Sequence, residues 1–390
     1  MIDVVGGTYV EAIRDEHRET IAGSGLRAAQ YLGADLGSFF TVLSDYELDV
    51  VLASLGSSDT TMFTRRDTRI TFAYSTPVSA PVCSGAGEHH DLTYEGNTVV
   101  VYGMVDAKPQ IRASLCVLDP QHSYDLKEIQ SLDVDELHVV LNHKEARNIL
   151  QSSSTAEQLA TDLRQAADCV SVVVKCGALG AFVATEDGCE RIPVFPSSRV
   201  RPIGSGDVFT AAYGLAVSRG IDAKASARTA SIAVYRYCST GQIEHAELTE
   251  PDRALYPPDS VPAVYLAASF ASISQRWLVD TATRAIEDIG GDCFSPLRDV
   301  GAYTGDANKT FEADRQGIEA CQSLLLLIDG ARTGPLVEAG IAAELGRPVV
   351  IFTEDPAIDR FTMLRGAGAQ VFSDLSTAVY NSIWAAIEHQ

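Results

Sequence analysis

Ser323–Leu345 reads SLLLLIDGARTGPLVEAGIAAEL. The run Leu324–Ile328 is short, apolar and bounded by turn residues, as a strand buried on both faces should be. Asp329, Gly330 and Gly334 then supply a tight turn. Pro335 predicts a helix start, because its fixed φ is tolerated in the first helical turn. Strand, turn and helix in that order place Asp329 and Glu338 near the carboxyl end of one strand, where an open α/β sheet forms its ligand crevice. Ala339, Ile341 and Ala342 pack inward in this reading, and the Glu338 carboxylate looks back over the turn. Two roles fit a glutamate there: a nucleophile or acid–base group, or a charge merely favoured by the positive end of the helix dipole.

The flanking sequence continues the alternation. Ala263–Ala267 predicts a strand, Ser274–Ile289 a helix with Trp277, Leu278, Ala285 and Ile286 inward, and Phe311–Cys321 a second helix. Between them Asp292–Pro296 leads to a polar loop at Leu297–Gly301, and Pro348–Phe352 and Ala369–Phe372 predict further strands. Residues 263–390 so arranged suit a compact flavodoxin-like α/β domain. Tyr265-Leu-Ala-Ala-Ser-Phe270 is a strand running into a small-residue turn.

Together, Tyr265–Phe270 and Arg332–Gly340 resemble the nucleoside 2-deoxyribosyltransferase and nucleotide N-glycosidase family, with its YLAGPxF start and its D-x-G-T-x-x-E-x-G pattern. The resemblance implies that Glu338 is the catalytic glutamate and that Tyr265 orients it. It places Asp329, and Asp314 on the preceding helix, near acidic positions that contact base or sugar. The implied chemistry needs no cofactor: Glu338 attacks the anomeric carbon, the base departs, and water or a second base opens the glycosyl ester. Arg332 stands where the transferases carry an acidic residue. A guanidinium there suits a phosphate, and with Arg298, Thr333 and the Gly334 amide it favours a 5′-monophosphate. Arg332 can equally be a surface side chain, or pair with Glu338 or Asp329.

At 390 residues the chain exceeds one ordinary core, so two domains are expected. Fifty-two acidic against 30 basic residues give a net charge of −22, a field that repels polyanions and excludes long nucleic acid as a partner. A small phosphorylated ligand stays compatible with it, because a pocket of backbone N–H groups overrides the global sign locally. The eight cysteines are scattered without a CxxC pair, the usage of a reducing cytoplasm and neither a disulfide frame nor a zinc site. The start MIDVVGGTYVEAIRDE does not read as a signal peptide, and no window approaches a membrane span, so a soluble, cytoplasmic protein is expected. Glu244–Pro262 is polar and proline-rich. The expected division is therefore 1–245, a linker at 246–262, and 263–390.

In the first of these regions Ile2–Val5 predicts a strand, Gly6-Gly7 a turn, and Glu19–Gly25 a glycine loop entering a helix at Leu26–Leu32. Such a loop can hold a sugar or an anion, or only turn the chain. From Phe39 to Val101 the pattern is β-like, in FFTVL, DVVLASL, RITFAY and NTVVVYG, and Thr68–Glu88 fits edge strands and a flap. His89-His90 beyond it read as solvated, with no third metal ligand beside them. Leu115–Leu118, Glu136–Leu141, Val170–Val174 and Ala181–Thr185 predict strands alternating with helices, one of them opened by Asn142 and Glu145, which argues for a parallel, doubly wound sheet. Gly204-Ser205-Gly206-Asp207 is a glycine-rich turn at a helix start. Its N–H groups can cradle a phosphate while Asp207 takes a proton from an attacking hydroxyl, or Asp207 can be an ordinary cap.

Met1–Gly241 resembles the ribokinase-type (PfkB) family of sugar and nucleoside kinases. Gly204–Asp207 fall on its GAGD anion hole and base, and Asn142 and Glu145 on its NxxE motif, which helps hold magnesium and the phosphates. Gly23, Ser24 and Gly25 fall on its sugar-binding segment, and Phe39–Val101 includes the place of its lid. The resemblance implies a ribokinase-like doubly wound sheet with a small β lid, and use of ATP and Mg2+ on a nucleoside or sugar. Arg201-Pro202-Ile203 replace an Asp and threonines of the family pattern, and Ser24 falls where it has an asparagine, which weakens the grip on sugar hydroxyls. The pairing of modules implies an enzyme of nucleoside or nucleotide metabolism. The alternative is a nucleotide-sensing regulator whose kinase-like half binds without phosphorylating and gates the other half. Both families commonly oligomerise, so a homo-oligomer is expected.

Overall fold

The computed structural model describes residues 1–56, 60–245, 248–301, 305–328, 333–355 and 358–390. The chain divides into two compact units: Met1–Cys176, Gly180–Ser197 and Arg201–Ala254 in the first, and Leu255–Gln390 with Gly177–Leu179 and Ser198–Val200 in the second.

The first unit is built on a nine-stranded sheet in the spatial order Gly188–Ile192, Ala181–Thr185, Ser171–Lys175, Asp133–Asn142, Gln110–Asp119, Thr93–Tyr102, Ile2–Val5, Leu36–Leu43, Thr61–Arg65. Ala181–Thr185 pairs antiparallel with both of its neighbours, and the last seven strands run parallel to one another. Parallel strands covered on both faces need apolar side chains on both, and the Val- and Leu-rich strand ends meet that need. Val100, Val117, Val140 and Val173 share one core with helices Ser24–Leu32, Ser205–Ser218 and Ala223–Thr240. Outside that cluster, helix Ala156–Ala167 packs on strands Ser171–Lys175 and Ala181–Thr185 with Leu159 and Leu163 fully buried.

A separate four-stranded sheet, in the order Arg18–Ala22, Tyr9–Ile13, Thr71–Tyr74, Val82–Ser84, forms the small β lid. It draws on more of the chain than the β-rich segment 39–101. Glu19–Ala22, expected as part of a glycine loop, is lid strand, paired antiparallel with Tyr9–Ile13. The apparent strand DVVLASL is also corrected: residues 49–55 lie in the helix Asp45–Leu55. Ser44 and Glu47 close a capping box ahead of it and Gly56 ends it in the left-handed region, local signals that outweigh a few alternating apolar residues.

The second unit has five parallel strands in the order Asp292–Phe294, Ala263–Ala268, Ser323–Leu327, Val349–Phe352, Gln370–Phe372. In chain order this is 2-1-3-4-5, the flavodoxin-like winding, which reverses between Ala263–Ala268 and Ser323–Leu327 and so opens its crevice at their carboxyl ends. Helix Ile273–Asp288 is phased differently from expectation. Val279, Ala282, Ala285 and Ile286 are buried, whereas Leu278 is half-buried and Trp277 is 48 % exposed. Leu297–Asp299, within the expected loop Leu297–Gly301, belong to a single helical turn, Pro296–Asp299, with proline in its first positions. No described helix is long and apolar enough to cross a membrane.

Candidate functional site

In the first unit, parallel register brings the strand ends level: Tyr102 pairs with Asp119, and Asn142 with Lys175. Helix Ser205–Ser218 starts at the same edge, with Gly204 in the left-handed region at φ 85° as its N-cap. Its first-turn amides lack intrahelical acceptors, the usual basis of an anion cradle. The turn is pinned from below, since the Tyr102 hydroxyl donates to the Asp207 backbone oxygen at 2.8 Å. Lys175 Nζ and Thr210 Oγ1 both donate to Asp119 Oδ2 at 2.8 Å.

A cavity of about 310 Å³ lies between this turn and the lid. Gly23 and Ser24 line it together with Gly204, Gly206 and Asp207, and the lid contributes Glu11, Phe72 and Tyr74. Gly25 serves the packing instead, because a Cβ there would overlap the backbone of Gly6 and the two glycine segments are in close backbone contact. The side chain of Asp207 is not free. Arg27 Nη1 donates to Asp207 Oδ2 at 2.8 Å, and Arg27 Nη2 pairs with Glu11 on lid strand Tyr9–Ile13. Burial pushes the Asp207 carboxyl above its ordinary range, with Arg27 pulling the other way. Arg27 and Glu11 escaped the sequence reading. Arg27 lies inside a predicted helix, and Glu11 in a stretch that carried no strand assignment.

Asn142 and Glu145 come together, but through each other. Asn142 Oδ1 accepts from the Lys144 and Glu145 amides at 2.9 Å, and Glu145 Oε2 accepts from the Asn142 amide at 2.8 Å. They form the capping box of helix His143–Leu150. Burial first, and the neighbouring Asp119 second, push the Glu145 carboxyl up to about 7.

In the second unit Tyr265 sits inside strand Ala263–Ala268, fully buried, its ring stacked on Phe294 at 5.4 Å and 15°. Gly317 makes room for that stack, since a Cβ there would run into the Phe294 ring. The helix carrying Glu338 spans Gly334–Glu344 and has no acidic residue in its first turn. Glu338 lies one residue further in, which weakens the dipole-only reading. Among the described residues, Tyr265 Oη, Asp314 Oδ1 and Glu338 Oε2 are buried polar atoms without a hydrogen-bond partner. Tyr265 feels the charge of the other two, and Glu338 that of Asp314. Burial, then Asp314, pushes the Glu338 carboxyl up to about 8; burial raises Asp314; burial, then Glu338 and Asp314, raises the Tyr265 hydroxyl.

Thr333 caps the same helix without a side-chain bond and is exposed, as is Gly334. Arg298 is engaged elsewhere, with Glu287 at 2.6 Å, Asp299 at 2.9 Å and the Cys293 carbonyl. Asp329 and Arg332 lie outside the described residues.

Two family models match the chain. Residues 108–241 match the pfkB family carbohydrate kinases, and residues 264–365 match nucleoside 2-deoxyribosyltransferase. The first unit is therefore a carbohydrate-kinase-like α/β domain and the second a deoxyribosyltransferase-like one. The first match holds Asn142, Glu145 and Gly204–Asp207, and begins after Glu11 and Arg27; the second holds Tyr265, Asp314 and Glu338. Among solved structures, a nucleoside kinase of Burkholderia thailandensis in complex with inosine is 18% identical over 62% of this chain and 92% of its own, with a TM-score of 0.44. A ribokinase of Thermotoga maritima is 17% identical over 60% and 93%, with a TM-score of 0.46. No curated protein matches the chain.

Proposed function

We propose that the second unit cleaves the N-glycosidic bond of a nucleoside or nucleoside 5′-monophosphate, with Glu338 as nucleophile. The observation that carries this reading is the trio of buried polar atoms on Tyr265, Asp314 and Glu338 that have no partner among the described residues. Leaving such groups unpaired costs about 1–3 kcal/mol each, and a bound sugar offers hydroxyls to pair with them. The Glu338 carboxylate attacks C1′ as the C1′–N bond breaks, the electron pair leaves with the base, and a neighbouring acid gives that base its proton. Water, or a second base in a transfer reaction, then opens the glycosyl ester and frees Glu338. Incubation with nucleosides and their monophosphates, followed by chromatography for free base, tests the reading. Release that persists undiminished in Glu338→Ala contradicts it.

The first unit, on the same proposal, phosphorylates a nucleoside or sugar, with Asp207 taking the hydroxyl proton as ADP leaves. The residues suit Mg·ATP. The amides of the Gly204–Asp207 turn would face its phosphates, and Glu145, buried beside Asp119, is a carboxyl that a nearby divalent cation would ionise. When bound, the cation would neutralise the developing phosphate charge. The Arg27–Asp207 ion pair favours a second reading, in which this unit binds a nucleotide without transferring its phosphate. ADP formation from Mg·ATP across a nucleoside and pentose panel separates the two.

A further inference from the structure

Arg27 is 6 % exposed, and its guanidinium lies between two carboxylates, Asp207 on helix Ser205–Ser218 and Glu11 on the lid. The turn is shaped around it: a Cβ on Gly204 would stand 2.5 Å from Arg27 Nε and 2.7 Å from Cδ. The GSGD turn thus contains a glycine where φ is positive and an arginine crosses closely. One buried cation shared by a buried and a partly buried anion is a competition, and only one of the three elements belongs to the lid. Arg27 engages Asp207 through Oδ2, and Asp207 also lines the cavity.

We propose that Arg27 is a positioning residue for Asp207 and that Glu11, by taking up the other end of the guanidinium, makes the grip on Asp207 depend on where the lid strand lies. This rests on the reading of Asp207 as the base of the first unit. With Glu11 seated, part of the guanidinium's charge is answered by the lid, and Asp207 keeps the proton affinity that a base needs. With Glu11 withdrawn, the whole cation faces Asp207, the carboxylate is stabilised, and it accepts a proton poorly. Asp119 and Lys175, at the strand ends beside the turn, pair with each other at 2.8 Å, and Tyr9 and Tyr74 are the further titratable lid groups lining the cavity. A base so wired works only when the lid strand covers the site.

The test is a carbon-13 NMR titration of the Asp207 carboxyl, assigned with Asp207→Asn, in the full chain and in Glu11→Gln, Arg27→Gln and the double variant. Glu11→Gln should lower the proton affinity of Asp207 by about tenfold when Arg27 is present, and by much less when it is absent. An equal shift in both backgrounds shows Glu11 acting directly through space and overturns the clamp. If Arg27→Gln does not fold, Arg27→Lys takes its place, because one ammonium cannot span both carboxylates as a guanidinium does. Turnover of Mg·ATP with nucleosides and pentoses supplies a second readout: Glu11→Gln should lower kcat about tenfold with KM for ATP unchanged, and Glu11→Asp should restore it. Absence of turnover in every protein, wild type included, counts against the phosphoryl-transfer reading alone, and the titration still decides the clamp.

Discussion

Replacing Glu338 by glutamine should change how the stability of the second unit depends on pH. In the folded protein burial and Asp314 hold the Glu338 carboxyl at about 8, against an ordinary 4.5. Below pH 4.5 it is protonated whether folded or not, and contributes no pH dependence. Between 4.5 and 8 the unfolded chain ionises it and the folded chain does not, so the wild type loses stability as pH rises, by at most ~1.4 kcal/mol per pH unit. Above about 8 both states are ionised and the loss is complete. The full interval corresponds to about 5 kcal/mol, and screening by the water that reaches a side chain only partly buried brings the working figure to about 2 kcal/mol. Glutamine carries a pH-independent burial cost of its own, so the slope and not the absolute stability is the test. Both tryptophans, Trp277 and Trp384, lie in the second unit, and Trp384 is 2 % exposed, so tryptophan fluorescence follows the unfolding of this unit selectively. Urea unfolding from pH 5 to 9 should show the wild type falling toward or below the variant as pH rises. Parallel curves would refute the claim that Glu338 is a buried, unpaired carboxyl.

Free-enzyme kcat/KM for base release should climb with pH toward about 8, because the nucleophile must be ionised; a flat profile from pH 6 to 9 would remove Glu338 from that role. Asp207→Asn should abolish ADP formation from Mg·ATP and a nucleoside or sugar, and undiminished turnover would remove Asp207 as the base. Gly204→Ala introduces a Cβ where φ is 85° and Arg27 lies within 2.5 Å. It should cost on the order of 1–3 kcal/mol by calorimetry, and an unchanged first-unit transition would contradict the close packing described. Gly317→Ala pushes on the Phe294 ring beneath Tyr265. Base release should fall roughly tenfold in this variant, while the rise of kcat/KM with pH remains.

The parallel cores were legible because apolar runs such as Val172–Val174 and Leu324–Leu327 are buried on both faces and carry no conflicting local signal. Asp45–Leu55 was misread because its capping box is local, whereas the strand reading came from a few alternating apolar residues. The lid strand Tyr9–Ile13 was hidden by Glu11, the one charge at its centre. Glu11 is buried only because Arg27, distant from it in sequence and in a different element, neutralises it, and no periodicity reports such a pairing. The same applies to Asp207: its position at a glycine turn is written in four residues, and its ion pair with Arg27 appears only once the helices are packed. Tyr265 and Glu338 were legible as candidates through the motifs that carry the family resemblance, and Asp314 only through what that resemblance implies, but their lack of partners among the described residues is a property of the packed fold.

Free base released from a nucleoside or its 5′-monophosphate, quantified by chromatography for the wild type and for a folded Glu338→Ala variant, tests the central claim most directly. Release by the wild type and none above background from the variant is the expected outcome. Equal release from both proteins would show that the bond is broken without this carboxylate.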